Sequence, residues 1–268
     1  MGKLDGKVAI ITGGAMGMGN GAAKVMARYG AKIVIADIAE TVFAAAKSLQ
    51  EAGYEAIAYQ VDVRDAAGLK QAYQNVADHF GKIDILVNAA GIGVLKPFVE
   101  ASDEFRDLTL DINFKGIWNS CQAAVPYMIA SKYGKIVNFG SVTGLLAVDP
   151  GMTAYAATKG AIMAFTKALA QDLAPYNITV NAILPGMVDT PMMEKSCREA
   201  CPDNPQSVKD AIAAGIPMKR LGTVDEAGEV VAFLASDESS YVTGTHIVFD
   251  GGSTLPETPT TAGWAPAI

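Results

Sequence analysis

KVAIITGGAMGMGNGAAKVMARYGAKIVIAD, residues 7–37, runs strand, glycine-rich turn, helix and second strand without interruption. Residues 7–11 are a short β-branched run, 18–29 carry a helical pattern, and AKIVIA at 31–36 is an apolar strand ending at Asp37. The glycines between the first strand and the helix permit a tight turn. They also let backbone approach a pyrophosphate, whose charge would sit at the helix N-terminus. Asp37 follows the turn by about 20 residues, where a carboxylate can accept hydrogen bonds from ribose hydroxyls or cap the next helix. It would repel a 2′-phosphate, and no arginine or lysine occupies Gly14, Ala15 or Met16 to rescue one. The stretch therefore favours NAD over NADP.

Further strands are expected at 55–61, 83–87, 135–139, 179–183 and 246–249, with helices at 39–52, 65–80 and 153–174. Short apolar strands alternating with helices predict an α/β protein, a doubly wound parallel sheet with helices on both faces. No linker divides the chain, so one domain is expected over residues 1–253. Residues 185–221 break the alternation and are rich in Met and Pro, which marks a substrate lid at about 186–221. The stretch 253–268, STLPETPTTAGWAPAI, has no periodicity and reads as a C-terminal arm with Trp264.

Half of the 268 residues are hydrophobic and 18% are charged, enough for a large single core. A net charge of −7 without basic runs excludes a nucleic-acid footprint. Cys121, Cys197 and Cys201 are an odd number, which suits reduced cytoplasmic thiols, and neither His79 nor His246 lies near them, so no metal site is expected. The apolar start is too short for a signal peptide or a membrane span.

Chemistry enters at SVTGLLAVDPGMTAYAATK, residues 141–159. Tyr155 and Lys159 stand four apart on one helix and share a face. An ammonium ~5 Å from the phenol favours its phenolate by roughly 3 kcal/mol at an effective dielectric of about 20, enough to poise it for proton transfer. The glycine-containing loop after Ser141 can fold that hydroxyl back beside the tyrosine.

The ordered motifs TGGAMGMG, Asp62-Val63, Asn88-Ala89-Ala90-Gly91, Asn113, Ser141, Tyr155-x-x-x-Lys159 and Pro185-Gly186 resemble the short-chain dehydrogenase/reductase family over roughly residues 4–253. The resemblance implies a Rossmann-type fold and an NAD-dependent oxidoreductase interconverting a secondary alcohol and a ketone. By it, Tyr155 is the general acid/base, Lys159 lowers its pKa and holds the nicotinamide ribose, Ser141 positions the substrate oxygen, and Asn113 holds a water linking Lys159 to solvent. Gly13, Met16, Gly17, Met18, Gly19, Asp37 and Ile38 would contact the dinucleotide. So would Asp62 at the adenine ring, Val63 beside it, Asn88, Ala89, Ala90 and Gly91 at the adenosine ribose, and Pro185, Gly186, Val188 and Thr190 at the carboxamide. Many relatives carry a second asparagine where this chain has Ala89, which removes one supporting hydrogen bond. The aliphatic, Met-rich stretches at 92–95, 143–152 and 187–193 suit a bulky apolar alcohol such as a hydroxysteroid or bile acid. Polyol or sugar-acid oxidation, 3-oxoacyl-thioester reduction and non-catalytic NAD sensing are the alternatives. The helix at 153–174, apolar on most faces, and that at 113–128 are expected to pair across a two-fold axis in a homotetramer.

Overall fold

A computed structural model of the chain describes residues 2–255. The first strand, β1 (Val8–Thr12), leads through the glycine turn into α1 (Gly17–Arg28), then β2 (Lys32–Asp37), α2 (Val42–Glu51), β3 (Ala56–Gln60) and α3 (Ala66–Phe80). The chain then returns to β4 (Ile85–Asn88), α4 (Asp103–Leu110), α5 (Gly116–Ser131), β5 (Gly134–Phe139) and α6 (Thr153–Leu173). It closes with β6 (Ile178–Pro185), α7 (Pro191–Ala200), α8 (Pro205–Gly215), α9 (Val224–Leu234) and β7 (His246–Phe249).

The seven strands form one sheet in the order β3-β2-β1-β4-β5-β6-β7, every pairing parallel. Both faces are covered, so strands that would alternate in an open sheet are apolar throughout. Ile33 and Ile35 face a core built with α1, α2 and α9, while Val34 and Ala36 face one built with α3, α5 and α6. Burial of such side chains contributes roughly 1.5–3 kcal/mol each. The doubly wound sheet expected from the sequence is therefore the fold, in a single domain. Its winding reverses between β1 and β4, and a crevice opens beyond their C-terminal ends at such a reversal.

Two elements depart from the sequence reading. The long helix expected from Asn113 opens instead with a wide π turn at Asp111–Lys115, ahead of α5. The stretch at 186–221 carries two helices, each started by a capping side chain followed by proline: Thr190-Pro191 and Asn204-Pro205. Residues 256–268, most of the expected arm with Trp264, lie outside the described residues. Among the described residues no helix is long and apolar enough to cross a membrane.

Candidate active site

The glycine turn is built to take something against its backbone. Gly13 sits at φ +66°, and a methyl added there would stand 2.6 Å from the backbone of Ala90, so only glycine fits. Its N–H donates to the Ala36 carbonyl at 2.8 Å. The first turn of α1 receives no side-chain cap from Met16 and contains no acidic residue, which leaves its N–H groups to an anion. Met16 and Ile38 are exposed on either side, whereas Met18 packs on the core. These features fit a dinucleotide. Asp37 accepts from Ala15 N in the turn and from Ala39 N beyond it, each at 3.0 Å, and the N-cap position of α2 is Thr41 rather than Asp37.

Neighbouring positions differ from the sequence reading. Both oxygens of Asp62, the group expected at an adenine ring, are engaged by Arg64, two residues on, which holds the carboxyl below its usual range. Val63 is core: its side chain packs against Gly116 and its carbonyl accepts from Asn119 at 3.0 Å. Ala89 N donates to the Thr12 carbonyl at 3.2 Å, which ties the glycine turn to the segment after β4.

Within the protein Asn88 ties neighbouring elements together, while its Oδ1 is buried without a hydrogen-bond partner. Its amide donates to Asn138 Oδ1 at 2.9 Å, and Asn138 in turn donates to Thr166 on α6 at 3.0 Å. This buried ladder joins β4, β5 and α6, although its members lie far apart in sequence. Only register predicts it, since Asn88 and Asn138 are directly paired. Lone asparagines in otherwise apolar strands were the signal.

Ser141, Tyr155, Lys159 and Asn113 converge at the end of this ladder. Gly144, at φ +95°, lets the loop after Ser141 close onto Ala156 of α6. That brings the Ser141 hydroxyl, which accepts from Thr143 N at 3.0 Å, close enough to the Tyr155 phenol to act on its ionisation. Lys159 is buried, donates to the Phe139 carbonyl at 2.7 Å, and lies 5.4 Å from the centroid of the Tyr155 ring. Burial depresses it to about 8. Tyr155 is partly buried with its phenol crowded by protein, and that burial pushes it up, with the neighbouring Ser141 hydroxyl working against the rise. The expectation that the ammonium dominates is therefore corrected for the protein alone: desolvation wins.

Asn113 is fully buried and grips Ile92 on both sides, accepting from its N–H at 2.8 Å and donating to its carbonyl at 2.9 Å. Its amide also reaches Thr158, which donates to the Tyr155 carbonyl at 2.7 Å. The side chain thus pins the loop that starts at Gly91 to the base of α6, where a water ligand was expected. A methyl on Gly91 would meet Asn113 at 3.2 Å and Lys159 Nζ at 3.9 Å, so the three groups share one floor. Thr158 was missed in the sequence, though it stands one helical turn from Tyr155.

The last quarter supplies the far wall. Pro185 O accepts from Val142 at 3.1 Å and Gly186 N donates to Phe249 O at 2.9 Å, which fixes the end of β6. Val188 bridges to Gly222. Thr190 caps α7 by accepting from Met193 N at 3.2 Å, and Pro191 comes against Gly17. Gly93, Met192 and the Tyr155 ring meet: a methyl on Gly93 would stand 3.4 Å from the Met192 sulfur and 3.5 Å from Tyr155 Cε2. Leu95, Leu145, Leu146, Val148 and Met187 are exposed on the flanking segments, and the two loops are tied by Lys96 N donating to Gly151 O at 2.9 Å.

This arrangement can hold a dinucleotide along the β1 and β4 ends and move a proton at its far end. Residues 13–254 match the family described as Enoyl-(Acyl carrier protein) reductase. Oxidoreductase UcpA of Escherichia coli (strain K12) is 50% identical over 258 residues, covering 96% of this chain and 98% of that protein. The 3-oxoacyl-[acyl-carrier-protein] reductase FabG of Thermotoga maritima is 39% identical over 93% of this chain and 98% of its own length. Cyclopentanol dehydrogenase of a Comamonas species is 37% identical over 95% and 99%. Among solved structures, a gluconate 5-dehydrogenase from Burkholderia cenocepacia in complex with NADP and tartrate superposes with a TM-score of 0.86 at 35% identity, covering 94% of this chain and 97% of that one. With the glycine turn, the buried Tyr155–Lys159 pair and these matches along nearly its whole length, the chain belongs to the short-chain dehydrogenase/reductase family of nicotinamide-dependent oxidoreductases.

Proposed function

We propose that the protein is an NAD(H)-dependent oxidoreductase that interconverts a bulky apolar secondary alcohol and its ketone, with Tyr155 as general acid/base. The observation that carries the reading is the Tyr155 phenol, with the Ser141 hydroxyl on one side and the buried Lys159 ammonium on the other. A bound nicotinamide dinucleotide supplies the hydride acceptor or donor. Gly13, Gly17, Gly19 and the open first turn of α1 hold its pyrophosphate, Asp37 its adenosine ribose, Lys159 its second ribose, and the 185–190 segment its carboxamide end. In reduction, Tyr155 donates its proton to the oxygen on which charge develops, while Ser141 hydrogen-bonds that oxygen; in oxidation, the Tyr155 phenolate removes the hydroxyl proton. Assays of cyclic secondary alcohols, hydroxysteroids and polyols with NAD+ and NADP+ test the reading. Absence of turnover across the whole panel would remove it.

Asp37 supports the choice of NAD, and the neighbour holding NADP makes it worth testing. Asp37→Ser should lower the NAD-to-NADP ratio of kcat/KM by at least about tenfold, because a fixed negative charge facing a 2′-phosphate disappears. Paired kinetics with the two cofactors check this; an unchanged ratio would show that Asp37 serves the turn alone.

The apolar rim supports the substrate class, as does a relative named for cyclopentanol. Gly93 leaves the space between Tyr155 and Met192 open. Alanine fits there, but the extra methyls of valine enter the space where a substrate ring would lie. Gly93→Val should lower kcat/KM for large-ring ketones by about ten- to a hundredfold and for small ones far less, with NADH affinity unchanged. An equal loss for all substrates counts against this placement of the substrate. The half-exposed Trp118, edge-on to Phe114 and tilted against Phe165, supports pairing of α5 and α6 across a two-fold axis.

A further inference from the structure

A cation on α8 reaches the segment that carries Thr190 and Met192. Lys209 of α8 reaches across to α7 and places its ammonium 2.8 Å from Asp189 Oδ1 and 2.9 Å from Glu194 Oε2. Its side chain is only 14% exposed, far less than either carboxylate. The two acceptors bracket the start of α7, one before Thr190 and one just after Met193. Around them lies an open cavity of about 560 Å³ walled by Gly17, Asn20, Lys24, Thr190, Glu194 and Lys209. Lys209 therefore stands where α7 meets the glycine turn, and Pro191 of the bracketed segment is the residue that comes against Gly17.

We propose that Lys209 is a positioning residue, an ionic clamp that keeps the start of α7 closed over the dinucleotide site. The inference rests on the functional reading above, which puts a dinucleotide at that turn. Sharing one ammonium brings the two carboxylates within about 6 Å of each other, where like charges repel. With the ammonium gone, that repulsion acts to part Asp189 from α7. Thr190 and Met192 move with the segment, so both the carboxamide contact and the wall beside Tyr155 loosen together. Arg198 also donates to Glu194 at 2.7 Å, but it belongs to α7 itself and cannot tie the helix to α8.

The test is NADH titration by fluorescence on the full chain, with kinetics and hydrogen exchange. Lys209→Gln should weaken NADH binding and raise the cofactor KM by about fivefold, with kcat within about twofold, and Lys209→Arg should restore both. The advantage of wild type over Lys209→Gln should shrink between about 50 and about 500 mM NaCl. Exchange in the free variant should quicken across residues 189–200 and not in β1 or β4. NADH affinity equal to wild type in Lys209→Gln, or a loss that Lys209→Arg does not repair, overturns the clamp. So does unchanged exchange across 189–200, a readout that stands even if wild type binds no dinucleotide and the functional reading fails. Should Lys209→Gln fail to fold, the Asp189→Asn/Glu194→Gln pair removes the tie from its other side, and exchange across 189–200 that matches wild type there overturns the clamp.

Discussion

Tyr155→Phe lowers turnover by about 10³-fold while NADH affinity stays within about twofold of wild type, within the range a positioned acid/base supplies. Phenylalanine keeps the ring, so the wall shared with Met192 and Gly93 survives and only the hydroxyl is lost. The hydroxyl does little for the fold, because among the described residues Ser141 is the polar side chain that acts on it and no element is tied down through it. Binding and chemistry should therefore separate. The pH dependence follows from the environment: burial raises the phenol, so the neutral form that protonates a ketone persists above neutrality, whereas oxidation needs the phenolate. Wild-type kcat/KM for oxidation should climb with pH across the range where reduction falls, and both slopes should vanish in Tyr155→Phe. Stopped-flow or steady-state assays in both directions check it. A variant that keeps more than a tenth of wild-type turnover would show that another group moves the proton.

What the sequence made legible were the features written locally. The strand–turn–helix of residues 7–37 announces its backbone through glycine, and the four-residue spacing of Tyr155 and Lys159 puts them on one helical face whatever surrounds them. Thr190-Pro191 and Asn204-Pro205 were equally local, and both are helix starts that a search for strand–helix alternation passes over. Other parts depend on distant chain. The ladder from Asn88 through Asn138 to Thr166 exists because β4 and β5 pair in one register and α6 packs behind them. Asn113's grip on Ile92 depends on a π turn, which has no periodic signature. The pairing of Asp62 with Arg64, two residues away, is a local contact that spacing to the glycine turn does not report. The balance at Tyr155 depends on burial, which spacing does not report: a Coulomb estimate at fixed dielectric left out the desolvation that exceeds it.

Lys159→Met should make the protein more stable and much less active. Burial depresses the ammonium from 10.5 to about 8, a shift that corresponds to roughly 3 kcal/mol at most. The sign is set by proton uptake. Between about 8 and 10.5 the unfolded chain holds the proton that the folded chain has released, so stability rises with pH through that window. Below about 8 both states are protonated and the full penalty of a buried cation is present. Methionine matches the stem in length without the charge, and removing the ammonium costs the Phe139 carbonyl its donor, about 1–3 kcal/mol. The net gain at pH 7 should be about 0–2 kcal/mol, a rise in Tm of up to about 6 °C. It should shrink as pH approaches 10.5, where wild type no longer carries the burden. Turnover should fall by at least about a hundredfold, since the phenolate loses the cation beside it and the ribose its proposed anchor. Thermal melts at pH 7 and 10 beside kinetics at pH 7 decide the matter: a variant less stable than wild type at pH 7 would mean that Lys159 holds the fold together. A variant that is stabilised and inactive would mean that a buried cation is kept at a cost in stability because proton transfer needs it.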